Sequence, residues 1–576
     1  MTLLALTWDK GLNKDILPSE LPDGYCSDAV NVRFRNGFAE RVGGLLDATT
    51  TYLSALTIIP SYMELYTSTL SSTGRYLAYC GLTKVFADTL AQVKTEITRF
   101  SDNITIFSIT RVGTTATLST VGAHGRSNGD TVIVYGALPS QYNGTFVIAG
   151  VTATTFTYTM GSDPGASASP VGAYSTNAGL DFTGAPTDWT GGVLNGVLIL
   201  NNATNGLYYW TGDTTLRMRK FPQSNISDAA RPFKNYIVQL GSTVNGVKKS
   251  HNVAWSAAAD PGTIPSSFTA TATNDAGSQD IAETSGVMVD CMQWGDINIL
   301  YKEDGRFGMQ YIGGNSVFRF YRLPGSEGLL AKHCIANTPK GQVFMTANYD
   351  VMIHTGGAAT SIAQGRVRSL LNLFAAAYRN TTFLAVNPSA NEVWVVFPST
   401  NAAGLPDTAL IWNWDSDTWG RKNFSLMNCA TSGLVTSALG AQYMLLSTTG
   451  TPAKIGLVDL ATTDFGTTFT ATVERQGITG GDDNSVKIFQ RSRWQLDGNA
   501  VGPFLVSHGS AMTAQATPTY AASVSYTQGV TNFAAARATA GRFLAVKTVI
   551  PDKPGLTSKT CAVRTCEIDF VKAGTR

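Results

Sequence analysis

Short apolar runs that fold back on themselves through turn residues recur along most of this chain, and this repetition constrains its fold more than any other feature. Arg75–Gly81 leads into Lys84–Phe86, and Gly196–Leu200 turns through Asn201 and Asn202 to Gly206–Trp210. Tyr236–Leu240 leads to Asn252–Trp255, and Asp296–Tyr301 turns at Asp304 and Gly305 to Phe307–Tyr311. Gln342–Thr346, Glu392–Phe397 and Tyr443–Leu446 begin three more such pairs, which return at Val351–His354, Ala409–Trp414 and Lys454–Val458. Their centres fall near 80, 200, 240, 300, 347, 395 and 448. Apart from the first gap the spacing is roughly 40 to 60 residues, and a period near 40–50 with several strands per repeat predicts a β-propeller. A set of unrelated β-sandwich hairpins is the alternative. One helix is expected, over Gly365–Asn380, where Val367, Leu370, Leu371, Phe374 and Ala377 recur at three- and four-residue intervals.

The wide first gap holds a separate unit. Residues 101–176 contain five short alternating strands, around Ile106–Thr110, Thr115–Leu118, Asp130–Tyr135, Gly144–Ile148 and Thr155–Tyr158. They suffice for a small β-barrel or sandwich, and Gly161–Ser175, rich in small residues and proline, reads as its exit linker. Longer strands follow residue 465, among them Gln490–Leu496, Arg542–Lys547 and Cys566–Val571. The expected fold class is therefore all-β: a β-propeller with an inserted small β-barrel or sandwich module and a C-terminal β-sandwich. The propeller occupies 1–100 and 177–464, the first stretch including an N-terminal segment. The insert is 101–176, and the C-terminal β-sandwich is 465–576.

Composition narrows the class further. Charged residues make up 14% of the chain, against roughly 25% in average soluble proteins. The 57 glycines and 10% aromatics suit strands and tight turns and argue against disorder. A net charge of +2 gives no general footprint for nucleic acid. No apolar stretch reaches the length of a membrane-spanning helix, and Met1–Lys10 lacks the pattern of an export signal. Cys26, Cys80, Cys291, Cys334, Cys429, Cys561 and Cys566 are odd in number and scattered, so they read as reduced, mostly buried thiols made in a cytoplasm rather than a disulfide frame or metal site.

Signatures of catalysis do not emerge. The chain contains no phosphate loop, nucleophile elbow or HExxH motif. His333 adjoins Cys334, but neighbours on a strand point to opposite faces, so an ordinary packed or surface histidine is expected. Asp415, Ser416 and Asp417 between Trp414 and Trp419 superficially resemble a sialidase Asp-box, yet lack the glycine that turn requires and read as a hairpin turn. Gly480–Asn484 carries only two carboxylates, too few for a calcium loop. Lys248 with Lys249, and Arg491 with Arg493, are too small as clusters to make a nucleic-acid patch. No catalytic, cofactor-binding or metal-binding residue is assigned.

One ordered series carries a resemblance. It comprises Gly11, Leu12 and Asn13, Pro18, Leu21–Gly24, Asp28–Val32, Arg33–Gly37 and Arg41–Gly44. It resembles the opening of the tail nozzle, or tail tubular B-like hub, proteins of short-tailed bacteriophages, departing from their common form at Val42, where a proline is usual. Asn252–Ser256, Asp296–Tyr311, His354–Gly357 and Arg537–Arg542 look like later parts of that family. The insert, around Ala123–Gly125 and Tyr142–Phe146, is similar to a small β-module of phage structural proteins. The resemblance implies a non-enzymatic virion protein made in the bacterial host cytoplasm, without cofactor or membrane span. It implies a homohexameric ring below the tail adaptor (head–tail connector), bearing tail fibre, spike or needle proteins. DNA would pass through its channel without sequence-specific binding, so the lumen must not hold phosphates. The alternative is a host-glycan-binding or glycan-cleaving propeller of the tail, a receptor-binding component.

Overall fold

The computed structural model describes residues 2–68, 74–99, 104–176, 180–214, 216–221, 225–314, 316–400, 404–435, 439–497, 503–551 and 561–575. Within these the chain is nearly all β, in antiparallel sheets apart from one short parallel pair. Seven four-stranded antiparallel arrays follow one another, their first strands being Tyr62–Thr67, Trp189–Leu194, Ile226–Phe233, Met288–Trp294, Ile335–Thr338, Phe383–Asn387 and Met427–Gly433. The first six run up and down in sequence order, as short hairpins dictate. In the second, Asn195 and Gly196 both take positive φ (49° and 85°) and join two strands through a two-residue turn, the conformation that matches strand twist.

Apolar layers bind each array to the next. Tyr76 and Trp210 pack the first on the second, and Ile199 and Ile237 the second on the third. Val238 and Leu300 join the third to the fourth, and Tyr301 and Phe344 the fourth to the fifth. Val343 and Val393 belong to the layer between the fifth and the sixth. Trp394 and Leu446 join the sixth to the seventh. Leu445 and Tyr79 close the succession from the seventh back to the first. The seventh array is completed by an N-terminal strand, since Gly44–Asp47 pairs with Ile455–Ala461. No single array buries both its faces, so each depends on its neighbours for stability.

The insert forms a six-stranded sheet over Ile104–Thr176 around its own core of Ile109, Leu118, Val134, Phe156, Tyr158 and Tyr174. Residues 101–103 and 177 of the expected boundaries lie outside the described residues. The segment read as an exit linker ends differently: Ala173–Thr176 is a strand pairing with both Thr131–Tyr135 and Ile104–Val112. Its Tyr174 is fully buried, and that aromatic anchor outweighs the small residues before it.

The C-terminal residues form two facing sheets. One carries Ser485–Asp497 and Ala562–Thr575, the other Ala471–Ile478, Phe504–Ala511 and Phe543–Ile550. They meet where Ser492 Oγ and His508 Nε2 lie 2.8 Å apart and Phe489 packs on the His508 ring. The N-terminal segment threads both: Thr2–Thr7 pairs with Ala562–Thr575 and Asp28–Val30 with Ala471–Ile478. Val32–Arg35 and Phe38–Arg41 then bridge Thr418–Asn423 of the sixth array to Ala562–Thr575, making one continuous sheet.

The helix expected over Gly365–Asn380 is not formed. Only Arg368–Leu371 is α-helical, followed by a 3₁₀ stretch at Ala376–Thr381. Asp15 carboxylate oxygens accept from the Arg368 and Ser369 amides, and Phe374 pairs with Ser399 as an isolated bridge. The Asp15 contacts cap first-turn amides, whereas the Ala375 amide, which a continuous helix would bond internally, donates to the Pro398 carbonyl.

Candidate functional site

The first strands of six arrays, and the turn that precedes the first strand of the second, line a cavity of about 620 Å³. Every array contributes to the wall or to the loop leading into it: Glu64, Thr187, Arg231, Met292, Ile335, Leu384 and Asn428 come one from each. The lining is mainly apolar, and a few polar groups converge within it.

Arg231 and Asp290 anchor one side. Arg231 donates through Nε to Asp290 Oδ1 at 2.9 Å and through Nη2 to Oδ2 at 2.7 Å, a bidentate pair with the carboxylate 1% exposed. Burial alone would raise the Asp290 pKa, but Arg231 and the His333 main chain bring it down to about 2. His333 sits in the left-handed region (φ 64°), where its amide donates to Asp290 and its Nε2 lies 2.8 Å from the Trp189 carbonyl. Its Nδ1 is 3.2 Å from Arg231 Nη2. These contacts fix one neutral tautomer, with Nε2–H donating to the carbonyl and Nδ1 accepting from Arg231. Burial, then Arg231, hold the imidazole pKa down to about 4. His333 is packed into the cavity wall.

Opposite this group lies Glu64. Its Oε2 accepts from the Tyr62 hydroxyl at 2.7 Å, and Tyr62 packs against the His333 ring with centroids 5.5 Å apart. Burial raises the Glu64 pKa, against the opposing pull of Tyr62 and Arg231. Glu64, Arg231 and Asp290 were not singled out from sequence. They are separated by 167 and 59 residues, and no local motif links them; only the convergence of first strands does.

Apart from His333 and Cys429, which line the cavity, the residues that sequence singled out make structural contacts. Asp417 caps its turn with φ 52°, accepting from Trp412 Nε1 at 2.9 Å and pairing with Arg366, while Asn391 donates to Asp415. Asp482 accepts from the Asn484 and Ser485 amides and pairs with Lys572 at 3.0 Å. Lys248 pairs with Asp228, Lys249 with Asp280 and Arg491 with Asp569. All seven cysteines are buried and none forms a disulfide. Among the described residues no cluster of three or more metal-ligating side chains occurs, and no helix is long and apolar enough to cross a membrane.

No family model matches this chain, nor does any curated protein. Among solved structures, apo AztD from Citrobacter koseri is 12% identical over 56% of this chain and 96% of its own, with a TM-score of 0.25. The N-terminal domain of Nup159 is 11% identical over 78% and 99%, at 0.25. The phage phi92 endosialidase is 11% identical over 69% and 63%, at 0.18. Likenesses this slight carry no argument about what the chain does.

Proposed function

We propose that this chain is a structural protein of a short-tailed phage tail, the nozzle or hub ring, and that its seven packed arrays are the blades of a β-propeller. One observation supports the reading most: the residues that carry the family resemblance join the arrays to the terminal sheets. Asn13 Nδ2 donates to the Gly365 carbonyl, and its Oδ1 accepts from the Asp15 and Ile16 amides. Asn31, at φ 57°, bridges Thr470 and Asn423. Arg41 donates to the Phe469 carbonyl and stacks on its ring at 4.0 Å. A phrase that specifies this junction specifies the whole two-part architecture, which is why its resemblance is informative beyond its length.

In this reading six copies form the ring and DNA passes through the assembly, while the chain itself performs no reaction. Light scattering after size-exclusion chromatography tests the assembly. A hexamer, alone or on addition of the tail adaptor, is the expected result; a monomer under both conditions overturns it. Purified protein is likewise expected to release no sugar from host-envelope glycans. Release abolished by Asp415→Asn or Asp417→Asn would favour the glycan-cleaving alternative instead.

A further inference from the structure

The axial cavity has chemistry that its structural role does not need. Its walls are apolar, through Met63, Leu82, Met292, Ile335 and Leu384, and its volume of about 620 Å³ is that of a small-molecule site. Charges around it are unevenly compensated. Arg231 is neutralised by Asp290 in a two-bond pair, and His333 is held neutral. Lys332, the next cation, lines a neighbouring cavity of about 240 Å³ together with Asp188 and Asp228. Glu64 is the lining's carboxylate and makes no salt bridge among the described residues; the cation whose charge it feels, Arg231, already pairs with Asp290. Only its Oε2 is engaged, by the Tyr62 hydroxyl.

Glu64 is only partly buried, so its second carboxyl oxygen is open to a ligand. A cation brought to it pairs directly with the carboxylate, and the Tyr62 ring beside it offers a further favourable face. An anion would meet Glu64 with no free cation to offset it, and a neutral ligand would leave the second oxygen unpaired or use it weakly.

We propose that the cavity is a binding site for a small organic cation, an ammonium or guanidinium group carried on an apolar body, received by Glu64 with the body against the apolar wall. The inference stands independently of hexamer assembly, since every lining residue comes from one chain.

Isothermal titration with three probes of one shape decides it: tryptamine (cationic), tryptophol (neutral) and indole-3-propionate (anionic). Tryptamine is expected to bind about tenfold or more tighter than the other two. In Glu64→Gln that preference should vanish while tryptophol affinity stays unchanged, which shows the chamber intact. Equal binding of all three probes, or no binding of tryptamine at millimolar concentration, overturns the proposal. So does a preference that survives Glu64→Gln. The charge series on the unaltered protein is decisive by itself should that variant fail to fold.

Discussion

Arg33 and Glu392 face each other 3.3 Å apart, 3% and 0% exposed, where the N-terminal segment crosses the sixth and seventh arrays. Asp459 takes the other side of the guanidinium, and Trp394 Nε1 donates to Glu392 Oε2 at 2.9 Å. Two carboxylates thus share one cation. Burial first, then the Asp459 charge, push Glu392 up to about 7 against the pull of Arg33. Its folded pKa therefore exceeds its unfolded one, so the native state holds the extra proton between roughly pH 4.5 and 7. Over that window this group's stabilising contribution falls as pH rises. Glu392→Gln is expected to remove that fall. The quantity to measure is the difference between the two proteins' denaturation midpoints from pH 5 to 8. His333, His354 and His508, each held down to about 4 chiefly by burial, give an opposite trend common to both. A constant difference across the range would show that Glu392 does not titrate there.

Gly44 begins the strand that completes the seventh array, and an added Cβ would overlap the main-chain carbonyl of Thr463. Backbone cannot yield as a side-chain tip can. Gly44→Ala is expected to destabilise by about 2–3 kcal/mol, read as a lower midpoint in urea. Gly37→Ala is the comparison: its Cβ would meet nothing within 4 Å, so its cost comes only from the positive φ of 78°.

The chain enters and leaves the insert at adjacent points. Leu180 donates its amide to the Arg99 carbonyl at 3.0 Å, and the Arg99 guanidinium donates to the Leu180 and Asp181 carbonyls. Replacing residues 101–176 with a short glycine-serine linker is therefore expected to leave the rest folded, with a modest loss from exposing Leu216 and freeing Arg219 from the Tyr135 ring. Circular dichroism and thermal unfolding check this; an unfolded deletion product beside a well-folded parent would make the insert part of the common core.

Removal of residues 1–47 takes away the closing strand, Arg33 and the stack of Trp8 on Trp494. Trp8 is fully buried, and each large side chain so buried contributes roughly 1.5–3 kcal/mol. No soluble folded product is expected. A monomeric, folded truncate recovered by gel filtration would mean that this segment is an arm rather than part of the core.

The array hairpins were legible because strand periodicity and turn chemistry are local: Asp304 with Gly305 announces a turn from neighbours alone. The apolar spacing of Val367–Ala377 misled for the same reason. It records which side chains are buried, while Pro398 and Ser399 take the backbone bonds of Ala375 and Phe374. Val30–Phe34, which reads as one strand, is broken at Asn31 into two strands of different sheets. The axial site left no trace in sequence. Glu64, Arg231 and Asp290 each sit in an ordinary strand, and only packing the first strands of their arrays together gives them a common environment.

The pairing of Gly44–Asp47 with Ile455–Ala461 also sets a clock. A ribosome adds roughly 5–20 residues per second, so the strand made first waits on the order of 20–80 s for its partner. Asp28–Val30 waits longer still for Ala471–Ile478. During synthesis the first array stands with one flank bare, and contacts this distant in sequence make the final closure slow. The nascent chain is most exposed to mispairing with a neighbouring copy in that interval, and lowering the expression temperature or rate should raise the soluble yield more than changing the buffer after lysis.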